Sequence, residues 1–431
     1  MKKTDYDSRL SRRVRDFVRG DFMPYHGEHH AGSRTDPRWK RLREVGTELW
    51  FDSGDAEAIG KLWTREFAAV TTNNTLLNRE VQKGTYADFI RKAGSLLDEF
   101  PELSPGERKL ELAFMLNARH GLLLVEKFDA FVSVEEHTAL AHDLEGAVNY
   151  GRRFHDVCAE RFYVKIPLTA AGVLAARRLA AEGIAVNVTL GFSARQNYLI
   201  TRLAEPACVN VFLGRLNSVA VDNKLGTGKH IGERATLASQ AEVRRLRREH
   251  GVKTRQIAAS LRDGSQVLDL AGVDVMTMPI AVAEEFLASG ARVGDIVERR
   301  AQEYSPGFNA EAAWARFDTL WDMPAKLTQC IDRLADEGID GFTQDDLIDY
   351  LKEQDCGDVL MRWEERQVAE SAAEGKIPQL ENWRALLEDK RIGLDSLMSL
   401  AGLNSFARDQ ADMDRHAAAD LEAGKDARLE R

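Results

Sequence analysis

The chain has 431 residues, 44% apolar and 30% charged, with 10 Pro and no low-complexity tract, so it can bury a large core and is not globally disordered. Its formal net charge of −10 is unevenly spread: residues 311–431 carry 28 Asp and Glu against 15 Lys and Arg, and the remainder 41 against 44. A near-neutral body suited to an anionic small molecule is thus followed by an acidic tail, which speaks against nucleic acid as a partner.

Residues 1–45 read as a polar, Arg-rich N-terminal extension whose opening, MKKTDYDSRLSRRVRD, alternates charge and offers no apolar leader. No later run is apolar enough to span a membrane. Cys158, Cys208, Cys330 and Cys356 form no CxxC and fit structural thiols in a reducing compartment, so the expectation is a cytoplasmic protein with no membrane partner. Within the extension, His26, Glu28, His29 and His30 cluster; a metal held by His26 and His30 is outweighed by a solvated or docking arm, and no metal site is expected.

Residues 46–299 carry eight short apolar, often β-branched runs: ELWFDSG, FAAVTTN, AFVSVEE, RFYVKIP, AVNVTLGF, CVNVFLGR, RQIAASLR and VDVMTMP. Between them lie segments with apolar residues three and four apart, such as TAAGVLAARRLAAEGI, that end at Gly as helices do. Eight strands alternating with helices predict an α/β fold, a parallel (β/α)8 TIM barrel, with a long helical crossover between Asn73 and Val132. A doubly wound open sheet is the runner-up, but no Gly-rich turn follows the first strand. Residues 300–431 read as an acidic helical C-terminal extension, including AAWARFDTLWDMPAKLTQCIDRLADEG and LENWRALLEDKRIGLDSLMSLAG as helices.

In a barrel the C-terminal strand ends carry the reacting groups, and here they are polar. Asp52 ends the first strand, Thr71, Thr72 and Asn73 the second, Glu135 the third, Lys165 the fourth, and Asn187 and Thr189 the fifth. Asn210 and Arg215 belong to the sixth, and Ser260 and Arg262 to the seventh. The pairs Ser133/Glu135, Asn187/Thr189 and Ser260/Arg262 are two apart and so are expected on one face. Lys165, central in the apolar Phe-Tyr-Val-Lys-Ile-Pro, is costly to bury unless it sheds its proton, and a neutral amine beside carboxylates is equipped to form a Schiff base with a ketone. On the strand alone, a buried ion pair with Asp52 or Glu135 has equal standing.

The runs TTNNTLL, SVEE, FYVKIP, VNVTLGF, VFLGR and AASLR resemble, in order, the signature stretches TTNP, SVEV, KIP, NVTLxFS, FVGR and ASFR of the transaldolase family, over residues from about 48 to 285. GLNSFARDQADMDR is similar to the closing helix of its long members, which makes much of 300–395 an insertion. The resemblance implies Lys165 as the Schiff-base lysine, Asp52 as the base taking the C4 hydroxyl proton, and Glu135, through a water held by Thr189, as the proton shuttle of imine chemistry. It implies Asn73 and Asn187, with Thr72 and Asn210, against the bound sugar, and Arg215, Ser260 and Arg262 on its phosphate. Phe212 stands where similar simple aldolases carry Tyr, which favours transfer over free cleavage. The implied reaction is transfer of a dihydroxyacetone unit between sugar phosphates of the pentose phosphate pathway, with no cofactor. Asn74 replaces the Pro of TTNP, Glu136 an apolar residue, and Asn210 a Ser. The substrate therefore stays open to a sulfonated or unphosphorylated sugar, and a rival of another class is a non-catalytic barrel with an interaction tail.

Three further features have plainer readings. DEGIDGFTQDDL (336–347) has the spacing of a calcium loop but lacks its third-position oxygen and ends in Leu347, so a helix-connecting turn is preferred. Arg244, Arg245, Arg247 and Arg248 read as a solvated helix face. Trp314, Trp321, Trp363 and Trp383 mark apolar helix faces that pack on the barrel or on a second copy, which leaves room for a homodimer.

Overall fold

The computed structural model describes residues 8–20, 22 and 34–429, with side chains through Glu422; the His26–His30 cluster lies outside the described residues. Eight parallel strands close into a barrel in chain order. They are β1 (Glu48–Asp52), β2 (Phe67–Thr71), β3 (Phe131–Glu135), β4 (Phe162–Pro167), β5 (Val186–Thr189), β6 (Cys208–Phe212), β7 (Arg255–Ala259) and β8 (Val275–Met278), with β8 returning to β1. Helices fill the crossovers, and the architecture is a (β/α)8 TIM barrel with a helical C-terminal region.

Residues two apart on each strand face the lumen. Its lower part is packed by Trp50, Ala69, Cys208, Ile257 and Val275, and the positions above carry the polar strand ends. Register brings Glu135 beside Lys165, Lys165 beside Asn187, and Pro167 beside Thr189. The alternate positions, among them Phe51, Val70, Val134 and Val164, are buried beneath the helices.

The described part of the N-terminal extension is less polar in space than in sequence. Helix Arg9–Arg19 buries Leu10, Val14 and Val18, spaced four apart, against the helices Pro105–Phe128 and Leu144–Val157. Helix Pro37–Glu44 starts with a proline after the Asp36 cap and packs Trp39 against Phe67 and Phe286, at 5.4 and 4.8 Å between ring centres.

Two expected helices of the C-terminal region are broken. Residues 312–338 divide into two 3₁₀ turns, Ala310–Ala315 and Phe317–Leu320, and the helix Ala325–Glu337, because Arg316 turns left-handed (φ 59°) and Pro324 ends the extended stretch before the helix. Residues 380–402 likewise split at Lys390 (φ 55°) into a short helix, Arg384–Glu388, and the long helix Leu394–Leu429. The 336–347 stretch is a helix connection in which Thr343 and Asp346 form a capping box, while Asp336 and Asp340 pair with Arg202 and Arg177. Trp383 is buried edge-on to Trp363, Arg384 covers Trp314 and Arg234 covers Trp321, so these aromatics pack within the chain. Arg245 pairs with Glu242 and Glu249, and Arg247 with Asp274. All four cysteines are free and buried. Among the described residues no helix is long and apolar enough to cross a membrane.

The helix Leu394–Leu429 closes the barrel mouth. Its first turn is anchored by the buried Asp395, which accepts from Arg195 Nε and Nη2 at 2.7 Å each and from Ser193 at 2.6 Å. Arg195 also reaches Asp358 at 2.8 Å. Ser399 then donates to the Leu190 carbonyl at the end of β5. Further along, Asp409 accepts from Thr75, Asp414 meets His137 at 3.2 Å, and His416 meets Asn78 at 2.9 Å. The helix thus runs from the β5 end of the mouth to the loops after β2 and β3.

Candidate active site

Asp52, Thr71, Asn73, Lys165, Asn187, Thr189, Asn210, Phe212, Ser260 and Thr277 line one cavity at the C-terminal mouth of the barrel, floored by Ile257 and Ala259. Lys165 is buried there. Its Nζ lies 3.3 Å from Glu135 Oε1 and donates to the Thr72 carbonyl at 3.1 Å, and Phe406 of the closing helix presents its ring 5.6 Å away. The ion pair foreseen as a structural alternative is therefore present, and it sits at the edge of a polar cavity. Thr72 contributes its main chain to the lysine, whereas Thr71 holds Asp52 at 3.2 Å and Thr277 at 2.8 Å.

Burial pushes both carboxyls above their ordinary range. For Asp52 the charge of Lys165, the Thr71 hydroxyl and the charge of Arg262 oppose that rise. For Glu135 the opposing groups are Lys165 and the Asn74 N–H, and Asp409 adds to the rise. Two raised carboxyls beside one amine form a set able to pass protons around a carbonyl carbon.

Asn187 donates to Ser133 at 3.1 Å and accepts from Asn210 at 3.3 Å, so these three lumen residues orient one another. Asn73 faces the cavity and also caps the helix Asn74–Gln82, accepting from Leu76 N at 2.9 Å. Thr72 Oγ1, Glu135 Oε1, Thr189 Oγ1, Asn210 Oδ1 and Arg215 Nη1 are buried without a hydrogen-bond partner among the described residues. Polar groups left so are costly within a core, and they suit a ligand that arrives with hydroxyls.

Two expected placements are corrected. Arg215 is not on β6 but in the first turn of the helix Leu213–Asp222, and Ser260 and Arg262 lie in the loop beyond β7. Ser260 turns left-handed (φ 66°), so the pleat alternation that would give it one face with Arg262 does not extend that far. The two arginines nevertheless come together: Arg262 lies across Gly214, where a Cβ would fall 2.6 Å from its Cγ and 2.2 Å from the Ser260 carbonyl. Burial, with Arg262 as a like-charged neighbour, pulls Arg215 down to about 10. A pair of cations so held suits an anion with three oxygens. Phe212 and Phe406 meet edge to face at 6.2 Å, and both approach the Arg215 guanidinium at 5.5 Å.

Sequence reasoning singled out Asn74 as a departure from the family pattern but gave it no role, and it missed Asn117, which stands with Asn74 behind Glu135, and Thr277 on β8. Phe406 and Asp409 appeared only inside a motif, with no role. The available signal for Asn117 was an amide amid the apolar FMLNARHGLLL. Among the described residues no group of His, Cys, Asp and Glu is arranged to hold a metal ion.

The chain is similar over most of its length to proteins named Transaldolase. A Transaldolase of Methylococcus capsulatus is 28% identical over 318 residues, covering 70% of this chain and 92% of that one. A Transaldolase of Aliivibrio salmonicida is 28% identical over 313 residues, 71% of this chain and 95% of its own length, and one of Vibrio cholerae 27% over 312, with 71% and 94% covered. The profile of the Transaldolase/Fructose-6-phosphate aldolase family matches residues 49–348, from the first strand through the last and on into the C-terminal region. A closed barrel with Lys165 at its mouth, matched over that span, belongs to the Transaldolase/Fructose-6-phosphate aldolase family.

Proposed function

We propose that the protein is a cytoplasmic transaldolase of the pentose phosphate pathway, moving a dihydroxyacetone unit from sedoheptulose 7-phosphate or fructose 6-phosphate to an aldose phosphate through a Schiff base on Lys165. The observation that carries this reading is one buried amine with two carboxyls at the barrel mouth, Lys165 Nζ lying 3.3 Å from the buried Glu135 and sharing a cavity lining with the half-buried Asp52.

Lys165 Nζ adds to the C2 carbonyl, and Glu135 supplies the proton with which the carbinolamine oxygen leaves as water. Asp52 takes the C4 hydroxyl proton as the C3–C4 bond breaks, and the bond's electron pair flows into the protonated imine to leave an enamine. Asn73 and Asn187 hold the hydroxyls of that three-carbon unit. The aldose product departs, an acceptor aldehyde enters, the bond re-forms with Asp52 returning its proton, and water held by Thr189 and activated by Glu135 hydrolyses the imine. Arg215, Ser260 and Arg262 bind the sugar phosphate, with Thr72 and Asn210 completing the wall. The scheme uses no cofactor. Phe212, with Glu135 present, favours transfer over free aldol cleavage.

The test is borohydride reduction with fructose 6-phosphate followed by mass spectrometry of the labelled peptide. Wild type gains one reduced adduct on Lys165, the three-carbon dihydroxyacetone unit once the aldose has departed, and Lys165→Ala loses both the adduct and turnover. An adduct on another lysine, or one that persists in Lys165→Ala, overturns the assignment. Sulfonated and unphosphorylated ketoses run in parallel separate the alternative substrates, and no adduct with any ketose would favour a non-catalytic barrel.

A further inference from the structure

Asn74 opens the helix Asn74–Gln82, so its main-chain N–H has no partner within that helix. It donates instead to Glu135 Oε2 at 3.0 Å, and the Asn74 side-chain Nδ2 donates to the same oxygen at 3.1 Å. Behind it, Asn117 Nδ2 donates to Asn74 Oδ1 at 3.0 Å and to the Ala113 carbonyl at 3.1 Å. Asn74, Asn117 and Glu135 are all buried.

The polarity of this relay is forced from its far end. The Ala113 carbonyl can only accept, so Asn117 must turn its NH₂ that way. Asn74 must then offer Oδ1 to Asn117 and Nδ2 to Glu135. Oε2 thus receives two donors at a helix N-terminus, a setting hostile to a proton on that atom. Oε1, by contrast, has only the Lys165 ammonium site 3.3 Å away.

We propose that Asn74 and Asn117 are positioning residues that fix Oε2 of Glu135 as a permanent acceptor and leave Oε1 as the oxygen that gives and takes the proton beside Lys165. The inference rests on the Schiff-base reading for its catalytic meaning, but the state of Glu135 can be read without turnover. The charged groups that bear on Glu135 are Lys165 from β4, Asp409 from the closing helix and Arg215 from the helix Leu213–Asp222. Lys165 and the Asn74 N–H favour its ionised form, while burial and Asp409 oppose it.

Three variants grade the relay. Asn74→Gly keeps the main-chain donor and loses the amide, and Asn74→Pro loses both. Proline is welcome at a first helical position, and Asn73 before it is already extended (φ −154°, ψ 171°), so the latter is expected to fold. Asn117→Leu leaves Asn74 free to flip its oxygen toward Glu135.

Glu135 is titrated in the ligand-free protein by difference infrared spectroscopy against Glu135→Gln, and the pH profile of borohydride-trapped adduct formation with fructose 6-phosphate is measured in parallel. Protonation of Glu135 is expected to move to higher pH by about one unit in Asn74→Gly and Asn117→Leu and further in Asn74→Pro, each lost bond being to a charged acceptor. The alkaline limb of adduct formation, where Glu135 loses the proton it must donate, moves upward in the same order, with the KM for fructose 6-phosphate nearly constant. An unmoved titration, or rates lowered equally at every pH, would make the relay merely structural and overturn the proposal. A titration that moves while wild type forms no adduct with any ketose keeps the relay and removes the transaldolase reading.

Discussion

Glu136 is the least accommodated side chain at the barrel mouth. Both its oxygens are buried without a hydrogen-bond partner among the described residues, and burial alone pushes its carboxyl well above the usual range. Its neighbour Glu135 is also raised, yet has Lys165 and Asn74 to hold it. For a carboxyl whose folded-state pKa exceeds the unfolded one, the favourable contribution is full below the unfolded value and is lost as pH rises through the folded value. Stability should therefore fall on this residue's account as pH rises above the usual carboxyl range. Glu136→Leu is expected to raise stability by about 1–3 kcal/mol, the scale of a buried unsatisfied polar group, and to flatten that decline. Thermal unfolding from that range upward checks this; a less stable variant with the same slope would mean that the carboxyl has a favourable partner.

At the level of elements, the docking of the closing helix depends on Arg195, fully paired between Asp395 and Asp358 in a buried setting. Removing one carboxylate leaves a buried charge short of its partner, which costs about 3–5 kcal/mol. Asp395→Ala is expected to lose that much in denaturant unfolding. It should also lower turnover, because the same helix brings Phe406 and Asp409 to the site. Replacing Arg195 and Asp395 together by Leu should cost less than Asp395→Ala alone, and the reverse ranking would show that the pair is favourable beyond its own burial.

The eight strands were legible because each combines a lumen face and a helix-covered face, which writes a short apolar run with a polar end, as in FYVKIP. Helices 312–338 and 380–402 were overextended because the left-handed turns fall on Arg316 and Lys390, residues that do not announce such a turn, and the breakers Pro324 and Gly393 beyond them were passed over. Lys165, Asp52 and Glu135 were readable from their cost in a strand. Asn74 and Asn117 were not, since their role is a chain of amide orientations that only three-dimensional contact reveals.

Across the whole molecule, the acidic tail delivers one negative charge to the catalytic end of the barrel. Asp409 reaches over from the closing helix, accepts from Thr75, and acts on two barrel residues at once. It adds to the rise of the Glu135 carboxyl and supports the protonated form of Arg215. Asp409→Asn keeps an acceptor for the Thr75 hydroxyl and removes only the charge. Glu135 then ionises more easily, so the alkaline limb of adduct formation should move to lower pH, opposite to the Asn74 variants. A carboxylate is also removed from the neighbourhood of Arg215 and Arg262, so an anionic sugar should bind several-fold more tightly. An uncharged ketose gains nothing from that change. Parallel measurement of the pH profile and of KM for fructose 6-phosphate and fructose checks both effects. A limb that moves upward, or equal changes in KM for the two sugars, would mean that Asp409 acts through the packing of the closing helix and not through its charge.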